Sequence, residues 1–187
     1  MARLLKLAAL AIGGVLIAKK LKQNKAGGKG SSVSESITVD VPVRTAYDQW
    51  TQFEEFPSFM DSVHEIRQLD DKRLHWKADV FGKTVEWDAE IVEQIPDRRI
   101  AWRSTTGKPN SGAVRFEPLS ASRTRIVLEM SYTPEGAMET VGDMLGAVCM
   151  EARGNLKRFK EMIEARGTET GAWRGTIQDG GKPVTTH

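Results

Sequence analysis

The sequence predicts an α+β domain in which a curved antiparallel β-sheet wraps around a long C-terminal α-helix, with two short helices after the first strand. Two observations carry this prediction. Apolar and polar residues alternate through several segments between residues 33 and 130, as in strands with one buried face. After Pro134 the apolar period changes to 3.6 residues and persists to Gly167, as in one long amphipathic helix.

The opening segment, Val33–Val41, alternates as a strand does, and Pro42 then ends it in a way that suits the first turn of a helix. Helical spacing continues to Phe53. A second aromatic segment follows, and Pro57 interrupts it, so the pattern indicates two brief helices joined by a bend. Together these helices are predicted to form an apolar lid or clasp.

Short turns separate the later alternating segments, which is typical of an antiparallel meander. The predicted strands are centred on residues 63–69, 74–80, 85–91, 100–103, 114–117 and 126–130, with a loop at 107–112. Charges of both signs occupy the face opposite the apolar one, and we interpret that face as a solvated surface rather than a binding site. Its charged residues are Glu86, Asp88, Glu90, Arg103, Arg115 and Arg125.

The long helix is predicted to have about 28 residues and a length of about 42 Å, enough to cross the whole sheet. Its apolar stripe consists of Met138, Val141, Leu145, Val148, Ala152, Leu156, Phe159 and Ile163. Gly142 and Gly146 are four residues apart on this helix, and we expect them to form a shallow groove opposite the tryptophans of the sheet.

Four segments follow from this pattern. Residues 1–22 form an apolar N-terminal segment, 23–32 a flexible linker rich in Gly, Lys and Ser, 33–167 the folded domain, and 168–187 an irregular tail. Within the tail, Trp173 and Arg174 are expected to pack back onto the domain.

The N-terminal segment is apolar from Leu4 to Ala18 except for Lys6, and lysines follow it at once. Its 15 residues would span about 22 Å as a helix, less than the roughly 30 Å of a bilayer core, so it is a candidate membrane anchor that either spans or inserts. A buried or partner-bound helix and a cleaved signal are the alternatives. If the segment spans the membrane, the lysines after it favour a location of the domain on the cytoplasmic side. If it is not an anchor, we expect the whole protein in the cytoplasm.

Charge and cysteine content exclude several classes of function. Residues 1–30 carry seven basic groups and no acid, so the net charge of +2 leaves the rest of the chain at −5, a poor match to nucleic acid. Cys149 is the single cysteine and is expected to be a buried hydrophobe. The sequence predicts no metal and no cofactor.

No catalytic motif is present in the sequence, which favours a binding protein over an enzyme. Asp61 and His64 are three residues apart and would suit an acid/base pair, but a surface ion pair is the preferred interpretation. His75 is expected on the wet face of the sheet without a chemical role.

Bulky apolar residues of the sheet and the long helix point to a cavity for an apolar ligand, with a simply filled core as the alternative. The residues predicted to line it are Trp50, Phe56, Phe59, Met60, Trp76, Trp87, Trp102, Phe116, Met130, Val141, Leu145 and Val148.

The order of these elements resembles the START-like helix-grip superfamily, in particular its polyketide cyclase/dehydrase and lipid-transport (SRPBCC) group. The resemblance covers residues 33–167. It rests on Val41-Pro42, Trp50, Phe56-Pro57-Ser58-Phe59-Met60, Trp76, Trp87-Asp88-Ala89-Glu90-Ile91 with Pro96, Trp102, and the late helix Asn155-Leu156-Lys157-Arg158-Phe159-Lys160.

Three functions are compatible with this resemblance. It implies a cavity between sheet and helix for a lipid, quinone or polyketide-like molecule, which with residues 1–22 indicates a membrane-linked binding or transfer protein. An aromatase/cyclase or dehydrase is the second function, although no polar cavity group can be assigned to it. The third is a noncatalytic adaptor that assembles through Gly13-Gly14.

Overall fold

A computed structural model describes residues 31–80, 82–132 and 138–178, and for residues 31, 132 and 138–144 it describes the backbone alone. The predicted anchor at 1–22 and the last nine residues lie outside this description. So do the linker before Ser31 and the side chain of Val141. The groove predicted at Gly142 falls among the residues described by backbone only.

Seven antiparallel strands form one sheet in the order β1-β7-β6-β5-β4-β3-β2. Because β1 pairs with β7, the chain closes the meander by bringing its first strand back beside its last. The strands are β1 (Ser31–Val39), β2 (Val63–Gln68), β3 (Arg73–Val80), β4 (Lys83–Ile95), β5 (Arg99–Ser104), β6 (Asn110–Ser120) and β7 (Arg123–Tyr132).

The helices follow the predicted pattern. Helix α1 (Val43–Trp50) starts directly after Pro42, and a separate 3-10 helix (Phe53–Ser58) contains Pro57. Helix α2 (Met138–Arg166) has 29 residues and ends before Gly167, whose positive φ of 74° suits a glycine. A curved sheet around one long helix, with two short helices after β1, confirms the predicted helix-grip fold.

The pairing register places all three predicted tryptophans of the sheet on its concave face. Trp76 lies opposite Trp87, and Trp102 lies opposite Gly112. The 107–112 segment is a shorter loop than predicted, because Asn110 already pairs with Tyr132 at the start of β6. Short polar residues obscured this strand start in the sequence.

Gly112 is required where it stands. A Cβ added there would collide with the ring of Trp102 and would lie 2.7 Å from the carbonyl oxygen of Glu129. Gly146 behaves differently: it is exposed, and an added Cβ would meet no atom within 4 Å. The expected groove at Gly146 facing the tryptophans is therefore wrong, because this glycine faces solvent.

Residues 168–178 pack against the domain without forming a helix. The backbone of Ile177 exchanges two hydrogen bonds with Gln94 of β4, and Ile177 is fully buried. The amide of Trp173 donates to Thr51 Oγ1 at 3.0 Å, and its indole donates to Asp71 at 3.2 Å. The prediction that Trp173 and Arg174 pack back onto the domain is thus confirmed.

The contrast between the two glycines gives a stability prediction. Gly112→Ala should lower the free energy of unfolding by about 1 to 3 kcal/mol, because the Trp102 ring or the β7 backbone must move. Gly146→Ala, the matched control in an exposed helix interior, should raise it by about 0.5 to 1 kcal/mol. Urea denaturation of both variants is the measurement, and effects of the same sign would contradict this account.

Candidate functional site

One end of the space between sheet and helix is filled by aromatic rings. Trp50 of α1 packs against Phe159 of α2 with ring centroids 4.7 Å apart, and against Phe56 at 5.7 Å. Phe59 and Phe116 complete the cluster around it. All of these rings are buried, as is Met60. We call this region, which the C-terminal segment also covers, the closed end.

Five of the twelve residues predicted to line a cavity therefore lie in the packed core of the closed end. They are Trp50, Phe56, Phe59, Met60 and Phe116. The aromatic side chains of the predicted clasp therefore belong to the hydrophobic core. That any of them contacts a ligand stays a prediction.

A buried phenol and amide belong to the closed end as well. Gln94 Nε2 donates to the hydroxyl of Tyr47 at 3.1 Å, and both side chains are fully buried. Burial raises the pKa of Tyr47 to about 12, because the phenolate would lose its hydration inside the core. This tyrosine is consequently neutral at any physiological pH.

Arg174 of the C-terminal segment holds together two acidic residues that are far away in sequence. Its guanidinium donates to Asp97 at 2.6 and 3.1 Å and to Asp48 at 2.6 Å. Burial raises the pKa of Asp48, whereas its bonds to Arg174 act in the opposite direction. The guanidinium also lies 5.7 Å from the Tyr47 ring centroid. The cluster fastens the tail to α1 and to the β4–β5 turn.

The opposite end of the space is lined by half-buried apolar side chains. Trp76 and Trp87 stack there with centroids 5.7 Å apart and planes 12° from parallel. The ring of Trp102 lies over Gly112, and Met130 follows on the next strand. Leu145 and Val148 of α2 are half-buried too. We call the region lined by these six residues the tryptophan cleft. All six belong to the residues that were predicted to line a cavity.

Helix α2 is fastened to the sheet by its C-terminal half. Arg153 pairs with Glu35 at 2.9 Å, Lys160 donates to the carbonyl oxygen of Thr38 at 2.8 Å, and Glu164 accepts from the amide of Asp40 at 2.6 Å. Glu151 contacts Ser62 in front of β2. Residues 145–150, the described side chains before this point, make no hydrogen bond or ion pair with the sheet. The tryptophan cleft lies toward this part of the helix, whose described side chains at residues 145–150 are apolar apart from Cys149.

The strand register brings several chain segments to the same end of the sheet as the cleft. The β3–β4 turn, the β5–β6 loop and the start of β1 at Ser31 all lie there. Two exposed apolar side chains flank the β3–β4 turn on this rim: Val80 at 41% and Val85 at 38% exposure. The domain is thus open and apolar where the chain enters it from the N-terminal side.

Ionisable groups are scarce on the concave face. In the described strands, Glu35 is the one carboxylate that the register places there, and it is paired with Arg153. Within the described residues, no group of three or more His, Cys, Asp and Glu side chains is arranged to hold a metal ion.

The residues considered for catalysis are separated from one another. Asp61 pairs with Arg158 at 3.2 Å, and His64 pairs with Asp79 at 3.0 Å. They form neither the acid/base pair that their spacing allowed nor the preferred ion pair with each other, because each pairs with a different residue. His75 lies on the outer face and hydrogen-bonds Asp88 at 2.7 Å. Cys149 is half-buried on α2.

The outer face carries paired charges and one shallow groove. Arg103 binds Glu90 at 2.7 Å, Arg99 binds Glu93 at 2.6 Å, and Arg115 binds Glu129 at 3.0 Å. Between these pairs, the groove has a volume of about 390 Å³ and a floor that includes Ala101 and Ala113. Because each arginine around it has its own carboxylate, the groove offers no excess charge to a ligand.

Residues 39–161 match the family model for polyketide cyclase / dehydrase and lipid transport. The chain belongs to this family. A member from Streptomyces lincolnensis, an uncharacterised 17.2 kDa protein, is 50% identical over 148 residues, which cover 79% of this chain and 99% of that protein. The family assignment thus agrees with the fold and with the resemblance seen in the sequence.

Solved structures share the architecture. An aromatase/cyclase from Streptomyces sp. R1128 superposes with a TM-score of 0.64 at 19% identity, over 77% of this chain and 99% of its own. A Deinococcus radiodurans protein gives 0.59 at 30% identity, over 73% and 99%. A START superfamily protein from Mycobacterium smegmatis gives 0.61 at 12% identity, over 70% and 98%.

Within the part of the chain that the structure describes, no helix combines the length with the hydropathy that crossing a bilayer requires.

Arg174 gives a stability prediction for the closed end. Arg174→Ala should lower the free energy of unfolding by about 3 to 5 kcal/mol, because it leaves the carboxylate of Asp48 buried without its main partner. Arg123→Ala breaks an ion pair with Asp40 in which both side chains are more than half exposed, and it should cost about 0 to 1 kcal/mol. Chemical denaturation is the measurement. Asp48→Asn should restore most of the loss in the Arg174→Ala background, and a failure to restore it would contradict the buried-charge explanation.

The raised pKa of Tyr47 predicts a loss of stability in alkali. Between the ordinary tyrosine pKa of about 10 and the native pKa of about 12, the unfolded chain releases the phenol proton while the native protein keeps it. The free energy of unfolding therefore falls as pH rises, by about 1 kcal/mol at pH 11. Tyr47→Phe lacks this contribution, so the stability difference between the two proteins should narrow from pH 9 to pH 11. A constant difference would show that Tyr47 titrates normally.

Proposed function

We propose that this protein binds a hydrophobic small molecule, such as a lipid, quinone or polyketide-like compound, in the tryptophan cleft, and that it does so beside a membrane. The observation that carries the proposal is the unequal packing of the grip. Rings fill the closed end completely, whereas Trp76, Trp87, Trp102 and Met130 remain half-buried at the other end.

Apolar contact is the source of affinity that this site supports. Burial of about 25 cal/mol per Å² would give a ligand with about 300 Å² of contact roughly 7 kcal/mol before the costs of binding are subtracted. The family includes lipid transport in its description.

The membrane part of the proposal concerns residues 1–22. Their apolar run and the lysines behind it suit an anchor at an anionic leaflet, on the cytoplasmic side if the segment spans. Support comes from the position of Ser31, which lies at the same end of the sheet as the cleft and its exposed apolar rim. An anchored chain would then present the cleft toward the lipid from which a ligand enters or leaves.

An aromatase/cyclase or dehydrase is the second candidate. It is favoured by the family description and by the fold shared with an aromatase/cyclase. Such an enzyme must polarise a carbonyl, and Glu35, the carboxylate that the register places on the described concave strands, is engaged by Arg153. If the protein turned over a poly-β-ketone analogue and Glu35→Gln abolished that turnover, the result would favour the enzyme candidate over the binding protein.

Trp87→Ala tests ligand binding. It should weaken binding of the fluorescent probe N-phenyl-1-naphthylamine about tenfold, since about 60 Å² of lost apolar contact corresponds to about 1.5 kcal/mol. It should also reduce lipid that copurifies with gently extracted protein, as measured by native mass spectrometry. Trp173→Ala, a half-buried tryptophan at the closed end, is the matched control and should change neither. If the wild type bound neither probe nor lipid, the proposed function would be wrong.

A vesicle flotation assay tests the anchor. The full chain should float with anionic vesicles, and the Leu10→Asp/Val15→Asp variant should stay in the soluble fraction, because each Asp costs about 2.5 to 3.5 kcal/mol within the apolar run. Leu119→Asp alters an exposed apolar residue of the domain and is the control, with flotation unchanged. If the Leu10→Asp/Val15→Asp and Leu119→Asp variants floated to the same extent, the proposal that the N-terminal segment anchors the protein would be wrong.

A further inference from the structure

The tryptophan cleft contains a buried polar group, the indole N–H of Trp76, that has no hydrogen-bond partner among the described residues. Trp76 lies in the middle of β3, between Ile66 and Trp87 in the register, and its ring centroid is 6.1 Å from that of Phe56. Its indole Nε1 is buried and has no hydrogen-bond partner in the part of the chain that the structure describes. The indole of Trp173, in contrast, donates to Asp71.

An unpaired buried donor is costly. A buried N–H without an acceptor loses about 1 to 3 kcal/mol of hydration that nothing returns. Phenylalanine would supply an aromatic ring at this position without that cost. Unpaired buried polar groups are uncommon in native proteins, so this one calls for an explanation.

The described neighbours of the indole are apolar. Its nearest aromatic neighbours, Phe56 and Trp87, offer no acceptor, and Ile66 lies across from it on β2. A ligand with an acceptor oxygen would supply the partner that these side chains lack.

We propose that the Trp76 indole N–H is the specificity-determining donor of the cleft, and that it binds an acceptor oxygen on a flat, apolar ligand. This inference rests on the proposed function. The near-parallel rings of Trp76 and Trp87 favour a flat molecule that can stack. The donor selects a carbonyl-bearing ligand over a plain hydrocarbon of the same shape, because only the carbonyl compound completes the hydrogen bond.

Two probes of nearly the same shape separate the donor from the stacking surface. They are 2,3-dimethyl-1,4-naphthoquinone, which has no open ring position for Cys149 to attack, and 2,3-dimethylnaphthalene. Binding to the full chain is measured by equilibrium dialysis. Trp76→Phe should weaken quinone binding about 5- to 10-fold, the value of about one hydrogen bond, and change hydrocarbon binding less than twofold. Trp87→Phe, the control, retains the donor and should affect both probes alike.

A measurement on the wild type keeps the test independent of how well the variant folds. The indole ¹H resonance of Trp76, identified by its disappearance in Trp76→Phe or by triple-resonance assignment, should move downfield with the quinone and not with the hydrocarbon. Equal losses for both probes, or an unmoved indole resonance with bound quinone, would overturn this inference and leave the binding function in place. Failure of the wild type to bind either probe would overturn both.

Discussion

The packing of Trp50 against the rings around it is the interaction on which the rest of the structure depends. It joins α1, the 3-10 helix, β6 and the C-terminal half of α2 in one cluster. Because Tyr47, Gln94 and Arg174 adjoin this cluster, the same region also contains the buried polar contacts of the domain. Cohesion is therefore concentrated at one end of the grip, and the other end needs no tight packing to keep the fold.

This division separates stability from binding. Residues of the closed end are fully buried and touch one another, so substitutions there act mainly on folding. In the tryptophan cleft, side chains are half-buried, so substitutions there should cost the fold less and act mainly on the proposed ligand contact. The outer face adds solvated ion pairs, each worth little, and shields the sheet without competing for an apolar ligand.

The architecture could be predicted well from the sequence, because each strand and helix has a local pattern of apolar residues and breaks that identifies it. Alternation gave the strands, Pro42 and Pro57 gave the breaks around the short helices, and the 3.6-residue period gave α2. Burial within the concave face was not predictable in the same way. Trp50 and Trp87 look alike in the sequence, and only the three-dimensional contacts place one in the core and the other in the cleft.

Long-range contacts account for the other differences. Gly112 resembles a loop residue until Trp102 is seen to cross it, and Gly146 resembles a groove residue until the rotation of α2 turns it to solvent. The pairing of Asp48 with Arg174 joins residues 126 positions apart, which no local pattern reveals. His64 pairs with Asp79 rather than with Asp61, its neighbour in the sequence, because strand pairing brings Asp79 beside it.

The fold also gives the chain a direction. Ser31 enters at the pole that bears the cleft, while Ile177 leaves beside Gln94 at the opposite pole. The segment around Ile177 therefore lies on the far side of the domain from the opening. Labels for imaging or capture belong on this segment, where they obstruct neither the proposed ligand nor the proposed membrane contact.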